Sequence, residues 1–194
     1  GFDRCDVAVV TNIGLGDHLG LSYISTVEDL SVVKRVIVQN VRPGTGVAVL
    51  NAADPMVARM ADSCPGSVTF FAADRHHPVM AMHRAQRKRV VYRDGDSIVA
   101  SGGGVEHRIA LADIPLTQHG AIGFQVENAM AASAATCALG VSWEAMHAGL
   151  RSVVPARDLA IEWPEPERAA PLFKALQHRR HVHRTSVRYG EHPS

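Results

Sequence analysis

The stretch TNIGLGDHLG, residues 11–20, places an amide, a carboxylate and an imidazole between glycines, directly after the apolar run DVAVV. In open α/β sheets, ligands bind beyond the carboxyl ends of the strands, where side chains need not pack against neighbours. The glycines permit positive φ and let a ligand approach the main chain. Asn12, Asp17 and His18 therefore suit a divalent cation beside a nucleotide phosphate, although Mg²⁺ prefers oxygen ligands. The alternative is a structural turn in which Asp17 caps and His18 bonds a backbone carbonyl.

Lys34 is a second residue that can do chemistry. It lies on the helix predicted after this loop, and the apolar residues Val33 and Ile37 place it on or near the inward face. A lysine pressed toward a core loses solvation, so its neutral amine becomes available for reaction. The alternative is a surface lysine whose alkyl chain lies along the protein while its ammonium group reaches water.

The composition argues against several functional classes. Lys and Arg number 20 against 19 Asp and Glu, so the net charge of +1 gives no reason to expect a nucleic-acid or membrane-surface partner. The three cysteines lack CxxC spacing, which argues against a disulfide framework or a zinc knuckle. No apolar stretch approaches the roughly 20 residues of a membrane span. We therefore expect a cytoplasmic protein that binds small ligands, and we interpret the chain, which starts without methionine, as a fragment.

The elements that must position these residues alternate between strand and helix. Three apolar, β-branched runs predict strands at residues 6–11, 46–50 and 67–72. The first shows no alternation, as is typical of a parallel strand covered on both faces. Helices are predicted from Thr26, where Ser25 and Glu28 form a capping box, and over residues 54–61. This order predicts an α/β fold with a mostly parallel sheet flanked by helices.

The pattern changes after His76. A basic helix is predicted in HHPVMAMHRAQRKR, and alternation around Asp94-Gly95 and Gly102 to Gly104 predicts a β-hairpin insertion. Further helices are predicted over residues 125–139, ending at Gly140, and from the cap Ser142 to Leu150. We predict one domain over residues 1–150 and a poorly ordered tail over residues 151–194, since the tail holds five of the ten prolines without apolar periodicity.

Four segments carry a resemblance to a known family: DVAVVTNIGLGDHLGL, VVKRVIVQNV, GVAVLNAADP and HGAIGFQVENAMAA. The residue types in these segments, and the order of the segments over residues 2–150, resemble those of the ATP-dependent Mur ligases. TNIGLGDHLG together with LNAADP resembles the cyanophycin synthetase branch. The resemblance implies the central, ATP-binding domain of such a ligase without its phosphate loop. No glycine-rich loop ending in Lys-Thr or Lys-Ser is present, and the Gly102 to Gly104 run lacks the following lysine.

The resemblance also implies site residues. His18 would bind a divalent ion near the ATP γ-phosphate, with Asn12 and Asp17 in its supporting loop and Asn12 among the cofactor-binding residues. Lys34 resembles the lysine that many Mur ligases carbamylate to help place a second Mg²⁺. Asn128 resembles the asparagine that reads adenine, since an amide offers a donor and an acceptor together. The alternative for Asn128 is a helix residue bonded to nearby backbone.

Two positions depart from the family pattern. Many members have two adjacent acids where this chain has Ala53 and Asp54, so we assign structural roles to Asn51 and Asp54. Gln125 stands where many relatives have asparagine. The family's glycine-arginine-phenylalanine stretch and the His-Asn-Pro motif of its third domain are also missing after residue 150. One hypothesis is that the tail is translated in a shifted frame.

The reaction that the resemblance implies is amide-bond formation. ATP would phosphorylate a peptide carboxylate, and an amino acid's amine would displace the phosphate. In the cyanophycin branch, arginine is added to the aspartate side chains of a peptide polymer, and we expect the full-length protein to be a homo-oligomer. The alternatives are another Mur-type ligase, acting on folylpolyglutamate or a peptidoglycan precursor, a stand-alone nucleotide- or metal-binding module, and an inert remnant of a truncated gene.

Overall fold

The computed structural model describes residues 3–14 and 24–154, which form one six-stranded sheet with helices on both faces. The strands follow one another across the sheet in chain order, and the first four run parallel, whereas the last two are antiparallel. They are β1 Val7–Val10, β2 Val47–Asn51, β3 Ser67–Ala72, β4 Val90–Asp94, β5 Ser97–Gly102 and β6 Val105–Ala110. The predicted α/β class with a mostly parallel sheet is confirmed.

The helices divide between the two faces. They are α1 Val27–Gln39, α2 Pro55–Arg59, α3 Pro78–Ala85, α4 Gly123–Ala138 and α5 Trp143–Ser152, and a 3₁₀ helix, Met60–Ser63, continues α2. Each of α1, α2 and α3 connects two neighbouring parallel strands, and right-handed connections place all three on one face. Val38, Val57 and Met80 from these helices are buried in one core, whereas Val126 and Met130 of α4 are buried in a second core on the other face.

The first strand differs from its prediction. It pairs with β2 on one side, and within residues 3–14 and 24–154 no strand pairs with its other side. Ala8 and Val10 are buried on the α1 face, but Val9, on the other face, is 37% exposed. The expectation that this strand is covered on both faces holds only in part, since Val7 packs against the second core whereas Val9 on the same face is exposed.

The predicted cap of α1 is shifted by one residue. The capping box is formed by Thr26 and Asp29 instead of Ser25 and Glu28, with the Asp29 N–H donating to Thr26 Oγ1 at 3.1 Å. Asp29 Oδ2 accepts from the Thr26 N–H at 3.0 Å. The Ser25 N–H also donates to Asp29 Oδ2, at 3.0 Å, and the hydrogen bonds to this carboxylate lower the pKa of Asp29, the largest effect coming from Ser25.

The predicted hairpin is present and is continuous with the parallel sheet. Asp94 pairs with Ser97 around a turn at Gly95, and Gly102 pairs with Val105 around Gly103 and Gly104. The turn glycines adopt φ of 58°, 63° and 86°, values that other residues reach only with strain. The sheet thus ends in a three-stranded antiparallel meander.

The buried imidazole of His83 makes the stability of the fold pH-dependent. Burial lowers the pKa of His83 below 6.5, and the hydrogen bond of Nε2 with the Val68 carbonyl, 3.0 Å long, opposes this in part. The unfolded chain then binds the proton more tightly than the folded one, so this contribution to stability is complete above pH 6.5 and is lost as the pH falls below it. We expect His83→Gln to flatten the fall in unfolding free energy between about pH 7.5 and pH 5 in urea titrations. An unchanged slope would contradict this.

Candidate functional site

The candidate site lies where parallel strands β1, β2 and β3 end. Val10 pairs with Leu50, and Leu50 pairs with Phe70, so the segments that follow these strands emerge at the same edge of the sheet. Thr11 to Gly14 follow β1, and Ala52 to Asp54 follow β2. This is the edge at which open α/β sheets bind their ligands.

Asp54 connects the two segments. Its Oδ1 accepts from the N–H groups of Met56 and Val57, at 2.9 and 3.2 Å, and so caps the start of α2. Its Oδ2 accepts from the N–H of Ile13 at 2.9 Å. One carboxylate thus satisfies three backbone donors and fixes the loop after β1 to the helix after β2. Asn51 has a local role as well, since its Oδ1 accepts from the Ala53 N–H at 2.9 Å. Both residues have the structural roles predicted for them.

Lys34 and Asn12 lie close together at this edge. Lys34 is half-buried on α1, and its Nζ donates to the carbonyl oxygen of Asn12 at 3.3 Å, whereas the Asn12 side chain is exposed. Because Asp54 holds the next residue, Ile13, the ammonium group is directed to a main-chain segment of fixed position. The structure therefore brings two of the sequence-predicted site residues together. Their roles in catalysis and in cofactor binding stay predictions.

Asn128 lies on the other face of the sheet. It occupies the second turn of α4, is exposed, and donates from Nδ2 to Gln125 Oε1 at 3.1 Å. In the part of the chain that the structure describes, no group donates to its carbonyl oxygen. The side-chain amide of Asn128 is therefore accessible to a nucleobase, but it makes no hydrogen bond with Asn12 or Lys34 in this structure.

The other residues predicted for this site, Asp17 and His18, lie outside the described residues. Within residues 3–14 and 24–154 no group of three or more His, Cys, Asp or Glu side chains is arranged to hold a metal ion. Metal binding by His18 stays a prediction.

A charged cluster beyond β3 was missed by sequence analysis. Arg75 Nη1 donates to Asp94 Oδ1 at 2.8 Å, and Arg108 Nη2 lies 2.8 Å from Asp94 Oδ2. Hydrogen bonds from these guanidinium groups, with Arg75 first, lower the pKa of Asp94. The motif ADRHH, which follows β3 and contains Arg75, was the signal in the sequence for this cluster. Its partner Asp94, on β4, could be identified only from the pairing of β3 with β4. The cluster fixes the loop after β3 at the same edge as Asp54.

The comparisons with known proteins identify the family. The family model described as Mur ligase middle domain matches residues 2–136, and the chain belongs to this family. The chain is also similar to two proteins named cyanophycin synthetase. That of Geminocystis herdmanii is 37% identical over 155 residues, 79% of this chain and 18% of the relative. That of a Synechocystis species is 39% identical over 152 residues, 78% of this chain and 17% of the relative. The chain thus spans less than a fifth of the length of these relatives.

Solved structures support the fold. MurF from Acinetobacter baumannii superposes with a TM-score of 0.55 at 22% identity, covering 79% of this chain and 30% of that one. A pseudomurein peptide ligase type C from Methanothermus fervidus gives a TM-score of 0.50 at 17% identity, covering 79% and 35%. Over a shorter stretch of 47 residues, the chain is 55% identical to the protein named Esterase LipC of Mycobacterium tuberculosis, covering 24% of this chain and 12% of that protein. That match is too short to show a family.

No helix in the described ranges is both long enough and apolar enough to cross a membrane.

Proposed function

We propose that this chain is part of the ATP-handling middle domain of an amide ligase of the cyanophycin synthetase type. The observation that best supports this proposal is the convergence of side chains at the carboxyl edge of the sheet. Lys34 Nζ lies 3.3 Å from the Asn12 carbonyl oxygen, and Asp54 Oδ2 accepts from the Ile13 N–H at 2.9 Å. Family membership and the similarity to two cyanophycin synthetases support this assignment. The proposed reaction joins arginine to an aspartate side chain of a peptide polymer through an acyl phosphate.

In this proposal the site must above all neutralise the negative charge of the ATP phosphates. Phosphoryl transfer depends mainly on positioning and on cations that neutralise the phosphate oxygens. The Lys34 ammonium is one such cation, and its contact with the Asn12 carbonyl holds it above the loop that follows β1. Mg²⁺ would supply further neutralisation when bound, with His18 as its proposed ligand. Asn128 would contact adenine, because its carbonyl oxygen and exposed position suit the exocyclic amine of the base.

Magnesium sites of this kind differ from dedicated metal cages. Mg²⁺ beside a nucleotide keeps several waters and takes the remaining ligands largely from phosphate oxygens. The described residues contain no group of three metal-ligating side chains, and His18 is the one ligand that we propose from this chain.

The proposal is tested by turnover. We expect the 194-residue chain to form no amide with ATP, arginine and an aspartate polymer, because the phosphate loop expected of the family is missing from its sequence. We expect the complete product of the gene to release ADP only when polymer and arginine are both present. Release with a folate or a peptidoglycan precursor instead would assign the chain to another Mur-type ligase. Amide formation by the 194-residue chain alone would contradict the proposal that it is one part of such a ligase.

Lys34→Met in the complete product is expected to lower turnover about 100-fold, a typical cost for losing a group that stabilises developing charge. The unfolding free energy should fall by less than about 1 kcal/mol, because polar contacts of a side chain at a partly exposed position contribute little to stability. Lys34→Arg is the matched control, since it keeps the cation but cannot be carbamylated. Parent-like turnover in Lys34→Met would remove Lys34 from the mechanism.

A further inference from the structure

A second cleft, of about 830 Å³, lies at the opposite edge of the sheet from the proposed nucleotide site. Ser67 and Val68, the first residues of β3, lie at one side, and His83 and Gln86 at the end of α3 lie at another. The carboxyl-edge residues Asn12, Lys34 and Asp54 do not line it. The cleft is therefore separate from the site proposed for ATP.

The entrance of this cleft is basic. Arg87, Lys88 and Arg89 are consecutive, exposed and part of its lining, whereas Asp62 is the only acidic residue among the described lining residues. Over residues 3–14 and 24–154, the three cationic side chains make no hydrogen bond or ion pair with the protein. Three neighbouring cations without a carboxylate partner produce a local field that attracts anions.

The backbone holds this basic segment in a fixed position. The Arg87 N–H donates to the Arg84 carbonyl at 2.8 Å, and the Lys88 N–H donates to the His83 carbonyl at 3.1 Å. The Arg87 carbonyl accepts from the Gly103 N–H at 3.2 Å. These bonds tie the backbone of the segment to both α3 and the β5–β6 turn, so all three side chains extend from fixed positions at the entrance.

Arg87 occupies a position that favours glycine. It follows the C-cap of α3 with φ of 56°, a left-handed conformation that costs a residue with a β-carbon free energy and that glycine adopts without strain. Strained backbone of this kind is often retained where a side chain has a function. Arg87 places a positive charge at the cleft, whereas glycine, which would end the helix without strain, would place none there.

The floor of the cleft is apolar and includes the buried imidazole of His83. Phe70 and Val79 line it, and His83, 8% exposed, packs edge-on against Phe70 with ring centroids 4.9 Å apart. The floor therefore offers contact area without a competing charge, while the cations lie at the entrance.

We infer that this cleft binds an organic or inorganic oxyanion, carboxylate or phosphate, whose charged groups contact Arg87, Lys88 and Arg89. The cavity is large enough for a multiply charged small molecule, and its apolar floor accommodates the carbon portion of such a ligand. This inference does not depend on the proposed ligase function.

The test uses citrate and pyrophosphate as probes for the two sources of oxyanion. Calorimetric titration of the 194-residue chain should show saturable binding of at least one probe, and the preferred probe identifies carboxylate or phosphate as the chemistry. Lys88→Gln/Arg89→Gln should weaken that binding about tenfold, as expected for two lost charge contacts. Arg4→Gln/Arg59→Gln, which removes the same charge from exposed positions outside the cleft, should change it less than about twofold.

The position of binding is read from the His83 ring resonances, which should shift on titration because the imidazole lines the floor. Arg87→Gly should weaken binding while raising the melting temperature by about 2 °C, since backbone strain is relieved. Failure of both probes to bind, equal weakening in the control pair, a constant His83 resonance or parent-like binding by Arg87→Gly would each overturn the inference.

Discussion

Gly66→Ala is expected to lower the free energy of unfolding by about 3 kcal/mol or more, because the added methyl group has no space. A β-carbon at Gly66 would lie 2.3 Å from the carbonyl oxygen of Gly46 and 2.8 Å from Val41 Cγ1. The Gly46 carbonyl is itself fixed, since it accepts the Ser67 N–H at 2.9 Å where β2 and β3 begin to pair. Relief of the clash must therefore separate two central strands. Urea denaturation of the purified variant measures this loss.

Gly123→Ala is the matched control for this prediction. Gly123 begins α4, and a β-carbon there meets no atom within 4 Å. Alanine is a better helix former than glycine, so we expect unchanged or slightly higher stability. A Gly66→Ala variant as stable as Gly123→Ala would show that the starts of β2 and β3 are not as closely spaced as the structure has them.

Asp54→Ala is expected to cost about 2–3 kcal/mol of unfolding free energy. The change removes the acceptor for the first turn of α2 and leaves the Ile13 N–H without its partner. It should also release the loop after β1, so nucleotide binding should weaken more than the loss of stability alone explains. Thermal and urea unfolding measure the first effect, and titration of ADP against the folded variant measures the second.

Asp54→Asn separates the two roles of this carboxylate. Asparagine caps helices as well as aspartate does, so its Oδ1 should still accept from Met56 and Val57. In asparagine, however, Nδ2 replaces the Oδ2 that accepts from the Ile13 N–H. Two donors then face each other and this hydrogen bond is lost. We expect an intermediate loss of about 1–2 kcal/mol, with a disturbed loop. An Asp54→Asn variant that matches the parent in both stability and ADP binding would show that the hydrogen bond from Ile13 to Asp54 does not hold the loop after β1 in place.

Local patterns were sufficient to predict most elements of the fold. The predicted strand over residues 67–72 coincides with β3, because a short apolar, β-branched run between turn residues has few alternatives. Ser142 caps α5 as predicted, with its Oγ accepting from the Ala145 N–H at 3.2 Å. Gly140 follows α4 with φ of 76°, the left-handed conformation expected after a helix end.

The errors concern choices that local sequence leaves open. In the run STVED, both Ser25 with Glu28 and Thr26 with Asp29 fit a capping box, so spacing alone did not identify the box that forms. Exposure of Val9 depends on which strand lies beside β1, which the run DVAVV does not encode. Turn residues predicted the hairpin, but its place at the end of the parallel sheet depends on the pairing of β3 with β4.

The site was predictable in its residue types more than in its contacts. The sequence placed Asn12 after a strand and Lys34 on the next helix, and in the structure Lys34 Nζ lies 3.3 Å from the Asn12 carbonyl oxygen. The bond from Ile13 to Asp54 spans 41 residues, so sequence analysis gave Asp54 a structural role without its partner. The second cleft, which is the amino-edge cleft at the amino ends of the parallel strands, was not predicted, because its lining comes from β3 and from the β2–β3, β3–β4 and β5–β6 connections. The run Arg87-Lys88-Arg89 was the signal available for it. The division of the chain at residue 150 stays a prediction, and α5 continues through Ser152.

Backbone NMR of the 194-residue chain titrated with ADP and Mg²⁺ tests the nucleotide site at the carboxyl edge most directly. We predict saturable shifts in the amide signals of Asn12, Ile13 and Lys34 and in the first two turns of α4 around Asn128. Shifts confined to the amino-edge cleft around His83 and Lys88, or no shifts at millimolar nucleotide, would contradict a nucleotide site at the carboxyl edge of this sheet.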